Sequence, residues 1–175
     1  MSGERSESTP SPVDAEFAYA RLFEQLRTVL QGEARTPILV GIHSGGAWVA
    51  ERLHADLGLR SQLGYLSSAF HRDDYGSRGL PINIKPTILP FDVEAADLIV
   101  IDDVLFTGRT VRAALNELFD HGRPARVELA VLADRGGREL PVSARFVGAE
   151  VALQSIDQLV LSQDTHGHFA FRLEG

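Results

Sequence analysis

Apolar positions along this chain keep two rhythms in turn. Behind Asp14, a residue suited to cap a helix, Ala18, Leu22, Leu26, Val29 and Leu30 recur at helical spacing and predict a helix to about Gln31. Pro37–His43 is a short apolar run and predicts a buried strand. Val49, Ala50, Leu53 and Leu57 return to the helical period, giving a helix over Gly45–Leu57, and Leu63–Phe70 predicts a second strand. From His71 to Pro90 glycine, proline and charge dominate, so the chain makes a long excursion there. Within it Leu80, Ile82 and Ile84 alternate as in a short projecting β arm. Asp97–Ile101 reads as the central strand. A helix over 109–121 follows, carrying Val111, Ala114, Leu115, Leu118 and Phe119 on one stripe and stopping at Gly122 before Pro124. Val127–Ala133 predicts the next strand, with short β segments near Arg145–Val151, Asp157–Leu161 and His168–Leu173. Strands alternating with helices predict an α/β fold, a twisted and mostly parallel sheet flanked by helices, with a small hood of β segments. Residues 1–13, rich in Ser, Pro and Glu, read as a disordered tail, and residues 14–175 as one domain.

Composition narrows this picture. The chain has 175 residues, 44% hydrophobic and 23% charged, as expected of a soluble single domain. No apolar run reaches the roughly 18 residues of a membrane span, and the acidic, apolar-poor N-terminus does not read as a signal peptide. A cytoplasmic location is expected. Zero cysteines exclude thiol catalysis, disulfides and cysteine-bound zinc. The six histidines show no metal-ligand pairing, and His166 and His168 read as a turn. Net charge is −7 with a single lysine, although seven arginines face five acids between Arg109 and Arg145. Charge therefore gives RNA binding little support.

The densest chemistry lies where the central strand ends. Leu98–Thr110 reads LIVIDDVLFTGRT: an apolar run, two carboxylates, then a hydroxyl- and glycine-bearing turn opening a helix. Free N–H groups and the positive dipole end of a helix start suit a phosphate, and threonine hydroxyls and an arginine add to that grip. Ionised carboxylates only accept hydrogen bonds, so Asp102 and Asp103 suit sugar hydroxyls or a hydrated magnesium ion. The ligand class indicated is a phosphorylated ribose. No GxxxxGK[ST] or GxGxxG occurs, which argues against Walker-type and dinucleotide sites. Ser44-Gly45-Gly46, after the first strand, lets a backbone approach an anion closely.

This stretch resembles the phosphoribosyl-pyrophosphate (PRPP) signature of type I phosphoribosyltransferases. DDVLFTGRTVRAALNELFDHGRP (Asp102–Pro124) and ELAVLADRGGRELP (Glu128–Pro141) are similar to one family in particular, PyrR. Its members are bifunctional pyrimidine-operon attenuators and uracil phosphoribosyltransferases. The likeness covers roughly residues 14–150; Gly41–Gly46 and His71–Asp74 sit where that family has its other active-site loops. It implies the type I phosphoribosyltransferase fold. It implies PRPP, uracil, UMP and pyrophosphate as ligands, with Mg2+ held by Asp102 and Asp103, directly or through water. It implies that Asp102 and Asp103 hold the ribose, Thr107, Gly108, Arg109 and Thr110 the 5′-phosphate, and Ser44, Gly45 and Gly46 the pyrophosphate. It puts Val104, Phe106, Arg135 and Arg138 near the base. Arg135 and Arg138 could equally be structural salt bridges. The family commonly has Thr-Arg-Gly where this chain has Ser44-Gly45-Gly46, so one cation is lost from the pyrophosphate loop. The 6-oxopurine enzymes of the superfamily carry an acid where Phe106 stands, which argues against a purine base.

Arg72 is the candidate to neutralise leaving pyrophosphate as the 72–86 segment closes like a lid and excludes water. Arg78 and Lys85 read as solvated loop charges. A non-proline cis peptide is expected within Ser44–Gly46, as is common in this superfamily. The family also implies dimers or larger homo-oligomers. It brings two rivals to uracil transfer: a nucleotide-sensing regulator that binds attenuator RNA, and transfer to another base.

Overall fold

A computed structural model of the chain describes residues 9–67 and 84–175. The last part of the expected second strand (68–70), most of the expected excursion (71–83) with Leu80 and Ile82 of the expected β arm, and Arg72 and Arg78 lie outside the described residues. Thr9–Pro10 (β1) opens the described chain and Ala15–Gly32 (α1) follows, capped by the Asp14 carboxylate, which accepts from the N–H groups of Glu16 and Phe17. Then come Ile38–Ile42 (β2), Gly45–Asp56 (α2) and Gly64–Leu66 (β3). The second half contains Asp97–Leu105 (β4), Arg109–Phe119 (α3), Arg126–Asp134 (β5), Phe146–Glu150 (β6), Gln158–Gln163 (β7) and Phe169–Glu174 (β8).

One five-stranded parallel sheet runs in the order β3-β2-β4-β5-β6. Buried on both faces, its central strands read as continuous apolar runs, as parallel sheets require. The pleat sends alternate residues to two separate cores. Leu39, Ile99, Ile101, Ala130 and Leu132 pack with α1, α2 and the hood. Val40, Ile42, Leu98, Val100, Leu129 and Val131 pack with Val111, Ala114 and Leu118 of α3. β5 reaches β6 through the helix-free stretch 135–145, so among the described residues α3 is the one helix on the second face, where loop residues such as Val93 and Val142 join it. Phe119, expected on the buried stripe, is consequently exposed. It borders a groove of about 670 Å³ that also takes in Leu115, Val127, Leu129 and Val142.

The hood is a second, antiparallel sheet in the order β1-β8-β7. Thr9–Pro10, within the stretch expected to be a tail, pairs with Leu173 and Arg172 of β8. Leu159, Leu161, Phe169 and Phe171 seat the hood on the α1/α2 core. His166 and His168 stand in its hairpin turn, where the Asp164 carboxylate accepts from both backbone N–H groups.

Candidate active site

Strand order decides where this sheet can hold a ligand. β2 is followed in sequence by β3 on one side, and the chain then returns to place β4 on β2's other side. The crevice beyond the carboxyl ends of β2 and β4 is therefore the topological switch point, the usual binding place of an open α/β sheet. Both sequence-predicted loops leave from it.

β4 runs four residues beyond the expected end at Ile101, through both carboxylates to Leu105. β5 sustains it, with Asp102 opposite Val131 and Leu105 opposite Asp134, whereas pairing with β2 ends at Gly41 and Ile101. From Asp102 onward β4 has lost its β2 neighbour, and the Ser44–Gly46 turn folds into that space. The contact is close enough to dictate residue type. A Cβ on Gly46 would lie 2.4 Å from the Ile101 carbonyl oxygen, and one on Gly45 would lie 2.2 Å from Asp103 Oδ2. Only glycines allow the two loops to meet in this way. The His43–Ser44 peptide is cis, one bond earlier than expected.

Asp102 is 5% exposed and accepts from the Asp103 N–H at 2.9 Å; Asp103 accepts from the Val104 N–H at 2.8 Å. Past Leu105, Phe106 and Thr107 lead to Gly108, whose φ of +93° turns the chain into α3 as its N-cap. Thr107 Oγ1 accepts from the Arg109 N–H. α1 has a side-chain cap, but neither Ser44 at the start of α2 nor Gly108 at the start of α3 supplies one. Thr110 lies in the first turn of α3. The segment after β5 grips the loop from outside: the N–H groups of Glu139 and Leu140 donate to the Thr107 carbonyl, and Arg109 Nε bonds Glu139 at 2.7 Å.

The two arginines of DRGGRELP both bond within the chain, although the buried Nε of Arg135 has no hydrogen-bond partner among the described residues. Arg138 donates to the Phe106 carbonyl at 2.6 Å, to Asp134 at 2.7 Å and to the Val142 carbonyl at 3.0 Å. Arg135 is 7% exposed, lies 3.9 Å over the Phe106 ring and donates to the carbonyls of Gln154 and Asp157. Val104, Phe106, Arg135 and Arg138 thus form one neighbourhood on β4, its loop and the turn after β5, with both guanidinium groups committed to holding that loop.

Comparison with known proteins accounts for this arrangement. Residues 14–157 match the Phosphoribosyl transferase domain family. "Bifunctional protein PyrR" of Ralstonia nicotianae is 52% identical over 163 residues, covering 91% of each chain. The chain belongs to the PyrR family. A PyrR of Pseudomonas entomophila is 43% identical, with 90% of this chain and 91% of that one covered. Among solved structures, the hypoxanthine phosphoribosyltransferase of Trypanosoma cruzi superposes with a TM-score of 0.64 at 16% identity, covering 96% of this chain and 98% of that one. A hypoxanthine-guanine phosphoribosyltransferase of Bacillus anthracis gives 0.67 at 16%, with 88% of each covered. At such identities these two establish the fold, which is the type I phosphoribosyltransferase fold expected of a PyrR protein.

Within this PyrR site some residues carry more than their sequence signal suggested. His43 follows β2 directly, beside the Ser44–Gly46 turn, and stacks on Tyr65 at 5.2 Å, with its Nδ1 buried and unpartnered among the described residues. Burial, and then the nearby Lys85 charge, hold its imidazole below the usual histidine range. Burial, and then the hydrogen bond to Glu51, push the Tyr65 phenol up to about 12. Asp134 and Glu139 anchor Arg138 and Arg109. Their one sequence cue is position: Asp134 ends a buried strand next to β4, and Glu139 precedes a proline turn. Lys85 is exposed at the described end of the excursion, whose return is fixed by an antiparallel bridge between Tyr65 and Ile88. No helix among the described residues is long and apolar enough to cross a membrane.

Proposed function

We propose that this chain transfers the 5-phosphoribosyl group of PRPP to N1 of uracil, giving UMP and pyrophosphate. The bond from ribose C1 to pyrophosphate breaks, the bond to uracil N1 forms, and the N1 proton is released. The observation that carries this reading is the contact of Gly45 and Gly46 with Asp103 and the end of Ile101. It supports one cleft in which an anion-binding turn and a carboxylate pair act on the same ligand.

In this reading Thr107–Thr110 hold the 5′-phosphate at the start of α3, and Asp102 and Asp103 accept the ribose hydroxyls. The Ser44–Gly46 turn gives its backbone to the pyrophosphate, with Arg72 as the proposed counter-charge. Asp102 and Asp103 supply hard oxygen donors, and no cluster of three or more acids or histidines occurs among the described residues. Such a pair fits a magnesium ion that takes its remaining ligands from substrate oxygens and water. Bound there, Mg2+ would offset charge on the departing pyrophosphate. The chain's own share is positioning and electrostatics, and Phe106 offers no proton-exchanging group to a purine.

Pyrophosphate release from PRPP and Mg2+ with uracil, cytosine, hypoxanthine and guanine tests this directly. Turnover is expected with uracil; a preference for a purine would overturn the reading. The relatives' name, bifunctional, brings in RNA-binding regulation. With a net charge of −7 and a single lysine, transfer is the reading we adopt. Tight, steeply salt-dependent binding of a pyrimidine leader RNA, without turnover of uracil, would reverse that choice.

A further inference from the structure

Three polar or charged residues are buried among those described: Ser67, Asp102 and Arg135. The arginine stands out because no carboxylate among the described residues pairs with its guanidinium. A buried cation needs compensation, and here it comes from carbonyl oxygens and a ring. Nη1 donates to the Asp157 carbonyl, Nη2 to the Gln154 carbonyl at 2.8 Å, and the guanidinium lies 3.9 Å over the Phe106 ring. These partners belong to different parts of the molecule. Phe106 leads into the phosphate-holding turn, whereas Gln154 and Asp157 lie just before β7, a strand of the hood.

The rest of the turn reinforces this link. Gly137, at a φ of +74°, comes so close to Phe106 that a Cβ there would lie 2.4 Å from ring atom Cε2. Arg138 holds the Phe106 carbonyl at 2.6 Å. Phe106 is thus fixed through ring and backbone by one four-residue turn, and the first residue of that turn also fixes the root of the hood.

We propose that Arg135 is a positioning residue for base selection, setting the hood against the ribose-phosphate loop and so the width of the gap in which the base lies. It does this by joining the Phe106 ring to the carbonyls of Gln154 and Asp157, and it does not itself touch the base. This inference rests on the uracil-transfer reading for its kinetic consequence, but not for its structural one.

Both consequences are tested with Arg135→Lys and Phe106→Leu. Lysine keeps the charge but cannot reach two carbonyls while stacking a flat group on a ring. For R135K, KM for uracil is expected to rise about tenfold, the size of one or two lost charge-assisted hydrogen bonds, with KM for PRPP changed less than about twofold. F106L should raise KM for uracil as well. The double variant should be no worse than the poorer single, because both changes cut the same link. Multiplying effects, an unchanged KM for uracil in R135K, or an equal rise in both KM values would overturn the proposal. Hydrogen exchange provides a readout that needs no substrate: in R135K the β7 amides should exchange faster while the β5 amides do not. Equal protection of β7 in R135K and the parent protein would overturn the link itself. Faster β7 exchange in a protein that fails to use uracil would uphold the link and reject only the uracil reading.

Discussion

Adjacent residues on a strand face opposite sides of the sheet, so Asp102 and Asp103 cannot do the same work. Asp103 shares its side with Ile99 and Ile101, the side of α1 and α2, and its carboxylate lies against Gly45 at the start of α2. Asp102 shares its side with Leu98 and Val100, the side of α3, and is the more buried. One carboxylate therefore lies on the Ser44–Gly46 side of the cleft, and in the proposed reaction the two would meet different parts of the ligand. Asp103→Asn keeps an oxygen for the Val104 N–H but removes the charge. Turnover is expected to fall about 100-fold, the size of one lost electrostatic contact to the transition state, with the melting temperature nearly unchanged. A near-native rate would show that this pair is not the ribose site. Gly45→Ala should act through the same carboxylate, since its Cβ would displace Asp103 Oδ2. Its KM for PRPP should rise, and combining it with D103N should add little. Independent effects of the two changes would show that the turn and the carboxylate do not share a ligand.

At the scale of elements, the hood is fastened by groups no local pattern announces. Glu16 in the first turn of α1 takes a two-pronged bond from Arg52 of α2 at 2.7 and 2.8 Å, and also accepts from the Phe169 N–H of β8 at 2.7 Å. The Arg52 guanidinium lies 3.9 Å over the Tyr19 ring, and the Tyr19 hydroxyl donates to Asp56. The Arg52 bond is the main reason the Glu16 carboxyl lies below its ordinary value of 4.5, and the Phe169 N–H adds to it. A lowered carboxyl stabilises the fold above its unfolded value, and that contribution is lost as pH falls through the folded one. Glu16→Gln imitates the protonated acid. It should melt a few degrees below the parent at neutral pH, and the two curves should converge as pH falls below 4.5 through the lowered value of the folded carboxyl. A constant gap across that range would show that the carboxylate charge is not what holds the hood. The helices and the strands of the parallel sheet were legible from apolar period and capping residues, whereas β1, in a stretch rich in Ser and Pro, was not. The extension of β4 through its carboxylates was not, because polar residues there break the apolar run while β5 supplies the pairing. Nor was the Glu16 clamp, whose partners are 36 and 153 residues away.

For the whole molecule, one sheet divides two cores that meet different obligations. On one side α1 and α2 pack the sheet and seat the hood; on the other α3 is the one helix among the described residues, joined by loop residues such as Val93 and Val142, and it starts at the Thr107–Thr110 turn. Most of the candidate site's residues could be picked out because a continuous motif places them at the end of one strand. Their convergence with Ser44–Gly46 depends on strand order, which sequence does not state and the switch point supplies. Neighbouring core residues can test this division. Leu132 and Val131 are adjacent on β5 and both fully buried, yet Leu132 packs in the hood-side core and Val131 in the α3-side core. Leu132→Ala should cost about 2–5 kcal/mol, and Val131→Ala somewhat less for its smaller side chain. Neighbours ordinarily couple, but these two share no packing partners, so the double variant should equal the sum within about 0.5 kcal/mol. Hydrogen exchange should separate them as well, with L132A loosening β7 and β8 and V131A loosening α3. Strong coupling in denaturant unfolding, or the same amides loosened by both, would mean the sheet transmits packing changes between its faces. A hood change and a phosphate-turn change could then not be read as separate effects on the site.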